Sequence, residues 1–205
     1  MRYFANPSTP RVRDAMATGR LDMIATPKQG NRLPAGVAWS ADNGCFGKGW
    51  PGVERWLAWL DTYTPEERSR CLFAVAPDVV GDAAATLARS LPWLPEIRAL
   101  GYPAAFVAQD GLEDLEVPWG SFDCLFIGGT TGWKLGPHAR TLVTEAKARG
   151  KYVHMGRVNS ERRFRYAAAI GCDSADGTFL AFGPDVNLPR IMAWLRTDDQ
   201  MVMFT

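Results

Sequence analysis

Short apolar segments alternate along this chain with segments whose apolar residues recur at helical spacing. Helical patterns occupy residues 9–18, 51–60, 81–99, 137–149, 159–170 and 187–196. The short apolar segments are typical of strands that are buried on both faces of a sheet. They comprise residues 2–5, 21–26, 36–41, 71–77, 104–109, 124–129, 151–156 and 171–176. The alternation predicts parallel strands that are connected by helices.

Eight strands, most of them followed by a helix, predict a (β/α)8 barrel of the α/β class. With 205 residues the barrel is a minimal one, and we expect residues 1–205 to form a single domain. An open, doubly wound sheet is the alternative. We favour the barrel because the polar residues of interest fall at the C-terminal ends of different strands, where barrel enzymes carry their active sites.

Composition narrows the class of protein. The chain is 47% hydrophobic and 22% charged with a net charge of +1, so its overall charge demands no polyanionic partner. Neither a signal-peptide core nor an apolar run approaching the roughly 20 residues of a membrane span is found, which predicts a cytoplasmic protein without a membrane partner. Four cysteines without C-x-x-C spacing and two histidines predict no metal site.

A polar residue or a glycine pair lies at the end of five predicted strands, and Met155-Gly156 ends a sixth. Carboxylates and amides can read the edge of a purine, and glycine N–H groups can donate to a ring carbonyl. A methionine can pack on a ring face, and further carboxylates can act as nucleophile or general acid. The residues concerned are Asp42, Asp78, Gln109, Gly128, Gly129, Met155, Gly156 and Asp176.

These residues lie in six short motifs in the order DNGCF (42–46), PD (77–78), VAQDG (107–111), IGG (127–129), HMGRVNS (154–160) and GCDSADGT (171–178). The series resembles the tRNA-guanine transglycosylases, and it is more similar still to their DNA-acting relatives, the DpdA family. The resemblance covers roughly residues 37–180. It implies exchange of guanine in DNA for a 7-deazaguanine such as preQ0 or preQ1, as in bacteriophage-type modification systems.

The resemblance also implies roles for single residues. Asp176 matches the nucleophile that attacks C1′ of the nucleoside, and Asp42 matches the acid/base. Asp78 and Gln109 match side chains that read guanine. Gly129, next to Gly128, matches a backbone donor to the base carbonyl, and Met155, next to Gly156, matches a residue that packs on the base. The reaction implies no cofactor, because the 7-deazaguanine base is itself a substrate.

The chain also departs from the tRNA enzymes. It lacks their cysteine-rich zinc segment, and Gly44-Cys45 stands where they have a glycine pair. The missing segment and the short length favour DNA as the partner, with its base flipped into an open mouth. Alternatives are a tRNA or nucleoside substrate, a non-catalytic nucleobase- or DNA-binding barrel, and a hydrolytic glycosidase. The oligomeric state is open.

Basic and polar residues near the predicted mouth are candidates for nucleic-acid contacts. Trp133 is a candidate for stacking on a base, and Gly177 is expected to leave room for a sugar–phosphate backbone. Two further residues are interpreted as structural: Asp173 as support for the eighth strand, and His154, which faces the side opposite to Met155. The phosphate-contact candidates are Lys134, Arg157, Asn159 and Ser160.

Overall fold

The computed structural model describes the backbone of residues 1–202 and the side chains of residues 1–196. Eight parallel strands pair in sequence order and close into a barrel, with the last strand beside the first. This confirms the predicted (β/α)8 fold. The strands are β1 (Arg2–Ala5), β2 (Asp22–Ala25), β3 (Trp39–Ala41), β4 (Cys71–Val75), β5 (Ala104–Ala108), β6 (Cys124–Ile127), β7 (Tyr152–Met155) and β8 (Ser174–Asp176).

Helices cover the outside of this barrel, and side chains cap the first turn of several of them. Thr9 accepts a hydrogen bond from the N–H of Val12, and Ser160 accepts one from that of Arg163. The helices are α1 (Pro10–Ala17), α2 (Val53–Asp61), α3 (Pro65–Ser69), α4 (Ala83–Ser90), α5 (Leu94–Ala99), α6 (Thr131–Lys134), α7 (Pro137–Ala148), α8 (Glu161–Ala169) and α9 (Pro184–Val202).

The predicted helix at 81–99 is two helices, α4 and α5, rather than one. Pro92 lies between them, and a proline inside a helix removes a backbone donor and clashes with the preceding turn. The short helices α3 and α6 were not predicted, because neither is long enough to show a full helical repeat. None of the helices in the described part of the chain is long and apolar enough to cross a membrane.

The core has two layers because side chains alternate between the two faces of each strand. One layer lies between the sheet and the helices and contains Met155. The other fills the barrel interior, where Phe4, Phe73 and Phe126 are its largest members. The ring of His154 lies among these three phenylalanines, with centroid distances of 5.6, 5.0 and 4.6 Å, so His154 points into the barrel.

Candidate active site

A cavity of about 380 Å³ opens at the C-terminal end of the barrel. It brings together predicted residues from the ends of β3 to β8, which are far apart in sequence. The aromatic rings of Phe46 and Phe126 contribute apolar walls, and Arg163 lies at its border. The predicted site residues that line it are Asp42, Asp78, Gln109, Gly128, Gly156, Arg157, Asn159 and Asp176.

Asp176, the last residue of β8, presents its carboxylate to this cavity with 17% of the side chain exposed. Its Oδ1 accepts hydrogen bonds from His154 Nε2 and from the backbone N–H of Arg157, both at 3.1 Å. A carboxylate can only accept, so Nε2 carries the proton, and in the neutral imidazole Nδ1 then accepts from the Ser174 hydroxyl at 2.8 Å. Ser174 and His154 therefore orient Asp176 from inside the barrel.

His154 thus has more than the purely structural role that the sequence predicted. The prediction that it faces away from Met155 is correct, and that orientation is what carries it to Asp176. One signal in the sequence pointed this way. Ser174 and Asp176 are two residues apart on β8 and share a face, so an inward-pointing residue on neighbouring β7 can contact both.

Asp42 follows β3 and borders the same cavity. Its Oδ1 accepts from the N–H of Gly44 at 2.6 Å, so the residue also forms the tight turn that Asp-Asn-Gly favours. Burial raises the pKa of Asp42, the Gly44 hydrogen bond opposes this, and the charges of Asp176 and Asp78 add to it, so that the pKa is about 7. Near neutral pH, Asp42 can therefore both hold and release a proton.

Asp78 and Gln109 lie together in this cavity and are bonded to each other. Gln109 Nε2 donates to Asp78 Oδ2 at 2.7 Å, and Asn43 Nδ2 donates to Asp78 Oδ1 at 3.0 Å. Burial raises the pKa of Asp78, and these two amide hydrogen bonds partly counter the effect. Asn43 was missed at the sequence level, since only the neighbouring Asp42 ends a strand.

The glycine pair after β6 differs from the prediction. The Gly129 N–H already donates to Gln109 Oε1 at 2.8 Å, and the Gly128 N–H donates to Ala108 O at 3.0 Å. Neither group is free to bond a base carbonyl while these contacts persist. Gly128 matters for close packing instead: a Cβ there would lie 2.7 Å from a methyl carbon of Val107. Gly129 positions Gln109.

Two further predictions are wrong because of side-chain direction. Met155 is fully buried between the sheet and the helices, so it does not reach the cavity, and Phe126 contributes the apolar wall instead. Lys134 is also buried, at 1% exposure, and its Nζ donates to Gly156 O at 2.6 Å. A phosphate on the surface cannot reach it.

The remaining candidates lie near the rim. Arg157 lines the cavity, with its guanidinium carbon 4.3 Å from the centre of the exposed Phe46 ring and a hydrogen bond to Gly129 O. Asn159 lines the cavity as well, whereas Ser160 caps α8 and lies in a neighbouring groove. The indole N–H of Trp133 donates to Glu113 at 2.8 Å, so the polar edge of this ring already has a hydrogen-bond partner within the protein.

Gly177 is not the opening that the sequence suggested. A Cβ at this residue would lie 2.3 Å from Asn159 Oδ1 and 2.6 Å from Val158 O. The space beside Gly177 is therefore filled by the protein itself, and glycine is needed there for the loops after β7 and β8 to approach each other.

No group of three or more His, Cys, Asp or Glu side chains in the described part of the chain is arranged to hold a metal ion. Cys45 is half-buried near the cavity, and burial raises the pKa of its thiol to about 12, so it is a poor ligand and nucleophile at neutral pH. The cavity's chemical groups are therefore carboxylates, amides, hydroxyls and guanidinium groups, with the His154 imidazole buried behind Asp176.

No protein-family model and no curated protein sequence matches this chain. Among solved structures, the YkuI protein of Bacillus subtilis, which has an EAL domain, is 15% identical with a TM-score of 0.49; the match covers 84% of this chain and 46% of YkuI. The 3-hexulose-6-phosphate synthase of Salmonella typhimurium is 12% identical with a TM-score of 0.48, covering 96% and 98%. This chain thus spans about half of YkuI. Similarity at this level says nothing about the chemistry of the cavity.

Proposed function

We propose that this protein is an enzyme that exchanges guanine in DNA for a free 7-deazaguanine base. The observation that carries the proposal is the way in which the Asp176 carboxylate is hydrogen-bonded. Both of its hydrogen bonds within the described residues reach Oδ1, which leaves Oδ2 available as a nucleophile in a side chain that lines the cavity. A carboxylate that is oriented in this way beside a second, protonatable acid is what a two-step glycosyl transfer requires.

In the proposed reaction, Asp176 Oδ2 attacks C1′ of the deoxyguanosine and the C1′–N9 bond breaks. Asp42 gives its proton to the departing guanine, which leaves as the neutral base. The 7-deazaguanine then returns a proton to Asp42 as its own N9 attacks C1′ and releases Asp176. Two displacements at C1′ retain the β configuration. The raised pKa of Asp42 supports this role, since the group is protonated in part at neutral pH.

The opposite wall of the cavity suits the base. Asp78 keeps acceptor capacity beyond its two amide hydrogen bonds, and it can take the N–H groups of a guanine edge. Phe126 and Phe46 offer ring faces on which a flat base can pack. A volume of about 380 Å³ is within the range of cavities that hold a small ligand, such as a nucleobase with its sugar.

DNA is the favoured source of the guanine because cationic and polar groups surround the mouth. Arg157 and Arg163 border the cavity, and Arg163 also lines the adjoining groove with Ser160, Arg162 and Tyr166. A strand with one base flipped into the cavity would keep its phosphates near these arginines. Contacts of this kind position a strand without reading its base sequence.

The test is nucleoside mass spectrometry after incubation of the protein with a panel of 7-deazaguanines and either DNA or tRNA. We expect 7-deazaguanine deoxynucleosides to appear in the DNA together with an equal amount of free guanine. Incorporation into tRNA alone would overturn the DNA assignment. Guanine release that leaves abasic sites without incorporation would indicate a hydrolase, and DNA binding without either product would indicate a binding protein.

A further inference from the structure

Lys134 is a buried cation that the proposed reaction does not use. It ends α6, its side chain is 1% exposed, and its Nζ donates to Gly156 O at 2.6 Å. Among the described residues no carboxylate lies within ion-pair distance of it. Burying an ammonium without a paired anion is costly, and an apolar side chain would avoid that cost. The position therefore calls for a role that needs a cation.

The acceptor of Lys134 belongs to the peptide group that also contacts Asp176. Gly156 C=O and Arg157 N–H are the two ends of one peptide unit. The carbonyl accepts from Lys134, and the N–H donates to Asp176 Oδ1 at 3.1 Å. Because a peptide unit is planar, fixing the direction of the carbonyl fixes the direction of the N–H.

This peptide needs to be held, because Arg157 has a left-handed backbone with φ of 59°. That conformation is unfavourable for a non-glycine residue, because it brings Cβ close to the following carbonyl oxygen. The guanidinium of Arg157 donates to Gly129 O, so the loop after β6 contacts the loop after β7 at two points, Gly129 and Lys134. Gly156 cannot be replaced easily either, since a Cβ would lie 2.6 Å from the Phe126 ring.

We infer that Lys134 is a positioning residue that fixes and polarises the Gly156–Arg157 peptide so that its N–H holds the Asp176 carboxylate. Hydrogen bonds in a chain strengthen each other, and a cation at one end strengthens the donor at the other. The effect of Lys134 on base exchange rests on the proposed function. The hydrogen bonds that connect Lys134, the Gly156–Arg157 peptide and Asp176 are independent of that function.

The charges around Lys134 indicate when this cation is present. Burial lowers the pKa of Lys134 most strongly, and Arg157 in the loop after β7 and Arg163 on α8 lower it too. Asp176 on β8 raises it, and the pKa is about 7. The ammonium is therefore present below about pH 7 and is lost above it. His154 on β7 faces Asp176 from the other side.

The experiment compares Lys134→Met with a matched control, Lys151→Met. Lys151 Nζ also donates to a backbone carbonyl, Phe122 O at 2.8 Å, but it lies before β7 at the opposite end of the barrel. Lys134→Gln keeps an N–H donor without the charge and serves as the second variant if the methionine variant does not fold. Each variant is assayed for base exchange and examined by amide NMR.

We expect Lys134→Met to lower kcat for base exchange about tenfold with an unchanged KM, and Lys151→Met to change neither. The amide spectra are recorded in an Asp42→Asn background, because the pKa of Asp42 is also about 7. In these spectra the Arg157 signal should shift with a midpoint near 7. This pH-dependent shift of the Arg157 signal should vanish in both Lys134 variants and persist in Lys151→Met.

An Arg157 signal that titrates identically with and without Lys134 would overturn the inference, as would a Lys134 variant with lower thermal stability but an unchanged kcat. The NMR comparison decides the matter even if no base exchange is found. In that case the proposed function fails, while the amide result still shows whether Lys134 controls the peptide that contacts Asp176.

Discussion

The two ends of the barrel surround their aspartates with opposite partners. At the N-terminal end, aspartates beside the strand starts each pair with a cation at 2.5 to 2.7 Å. The pairs are Asp22 with Arg2, Asp123 with Arg98 and Asp173 with Lys147. At the cavity end, Asp42, Asp78 and Asp176 bond to backbone N–H groups, amides and His154, and no lysine or arginine of the described residues forms an ion pair with them.

The consequence is visible in the acids' proton affinities. Burial raises the pKa of Asp123, but hydrogen bonds from Arg98 and the Ala104 N–H outweigh it and leave the pKa below its ordinary value. Burial raises the pKa of Asp42 to about 7, and no cation counters it. Asp123 at the N-terminal end is therefore held in its anionic form beside Arg98, while Asp42 at the cavity end can exchange a proton near neutral pH. Barrel enzymes divide stability and chemistry between their ends in this way.

The largest difference between the two ends is expected for Asp176→Asn. The amide keeps the size of the side chain but cannot form the bond to C1′, so base exchange should fall by roughly 10³-fold or more. Rates of 7-deazaguanine incorporation, followed by mass spectrometry, measure the loss. A variant that keeps more than a tenth of the wild-type rate would show that Asp176 is not the nucleophile.

The next effect in size is expected for Asp42→Asn. Removing a general acid typically costs roughly 10²-fold to 10⁴-fold in rate. In the wild type, exchange should decline as pH rises above 7, because Asp42 then no longer carries the proton that guanine needs. The variant should lose that dependence. A variant with wild-type rates at pH 6 would remove Asp42 from the mechanism.

The raised pKa of Asp42 also predicts how the free energy of unfolding depends on pH. Its pKa is about 7 in the folded protein against an ordinary 3.8, so the folded state binds the proton more tightly. The stabilisation from this group is fully present below about pH 4 and is lost as pH rises through 7. Asp42→Asn should therefore gain stability relative to the wild type between pH 5 and pH 8. Urea unfolding at the two pH values measures it, with Asp173→Asn as the control.

A smaller effect is expected for His154→Phe. The new ring fits among Phe4, Phe73 and Phe126, but Asp176 Oδ1 loses the Nε2 donor. We expect kcat to fall about tenfold with KM unchanged, because the carboxylate is less well oriented while the base contacts remain. Ser174→Ala, which removes only the bond to Nδ1, should cost less. A change in KM alone would contradict the orienting role.

The smallest effect on activity is expected at the opposite end, for Asp173→Asn. Asp173 accepts from Lys147 Nζ and from the N–H of Val153, and both contacts weaken in the variant. Because the ion pair is partly exposed, we expect a loss of only about 1 kcal/mol in the free energy of unfolding. Base exchange should be unchanged. An activity loss comparable to that of Asp176→Asn would erase the distinction between the two ends.

The barrel and the residues at its mouth could be predicted because both depend on local pattern. Apolar runs of strand length and capped helices identify the elements, and the residue after a buried strand is easy to find. Errors arose where a neighbour in space decides the outcome. Pro92 divides a helical pattern into two helices, and the Gly129 N–H is taken by Gln109, which lies twenty residues away.

From the sequence alone, local spacing identifies the eight strands, most of the helices between them and the carboxylates that end the strands. Closure into a barrel rather than an open sheet was favoured by the placement of the polar residues, and the structure confirms it. The hydrogen-bond partners of those carboxylates, in contrast, depend on the tertiary structure. The register of β7 against β8 sets His154 beside Asp176, and the packing of α6 directs Lys134 inward to Gly156 rather than outward to a phosphate. Hydrogen-bond partners depend on distances between loops that no local pattern encodes, so these contacts required the folded molecule.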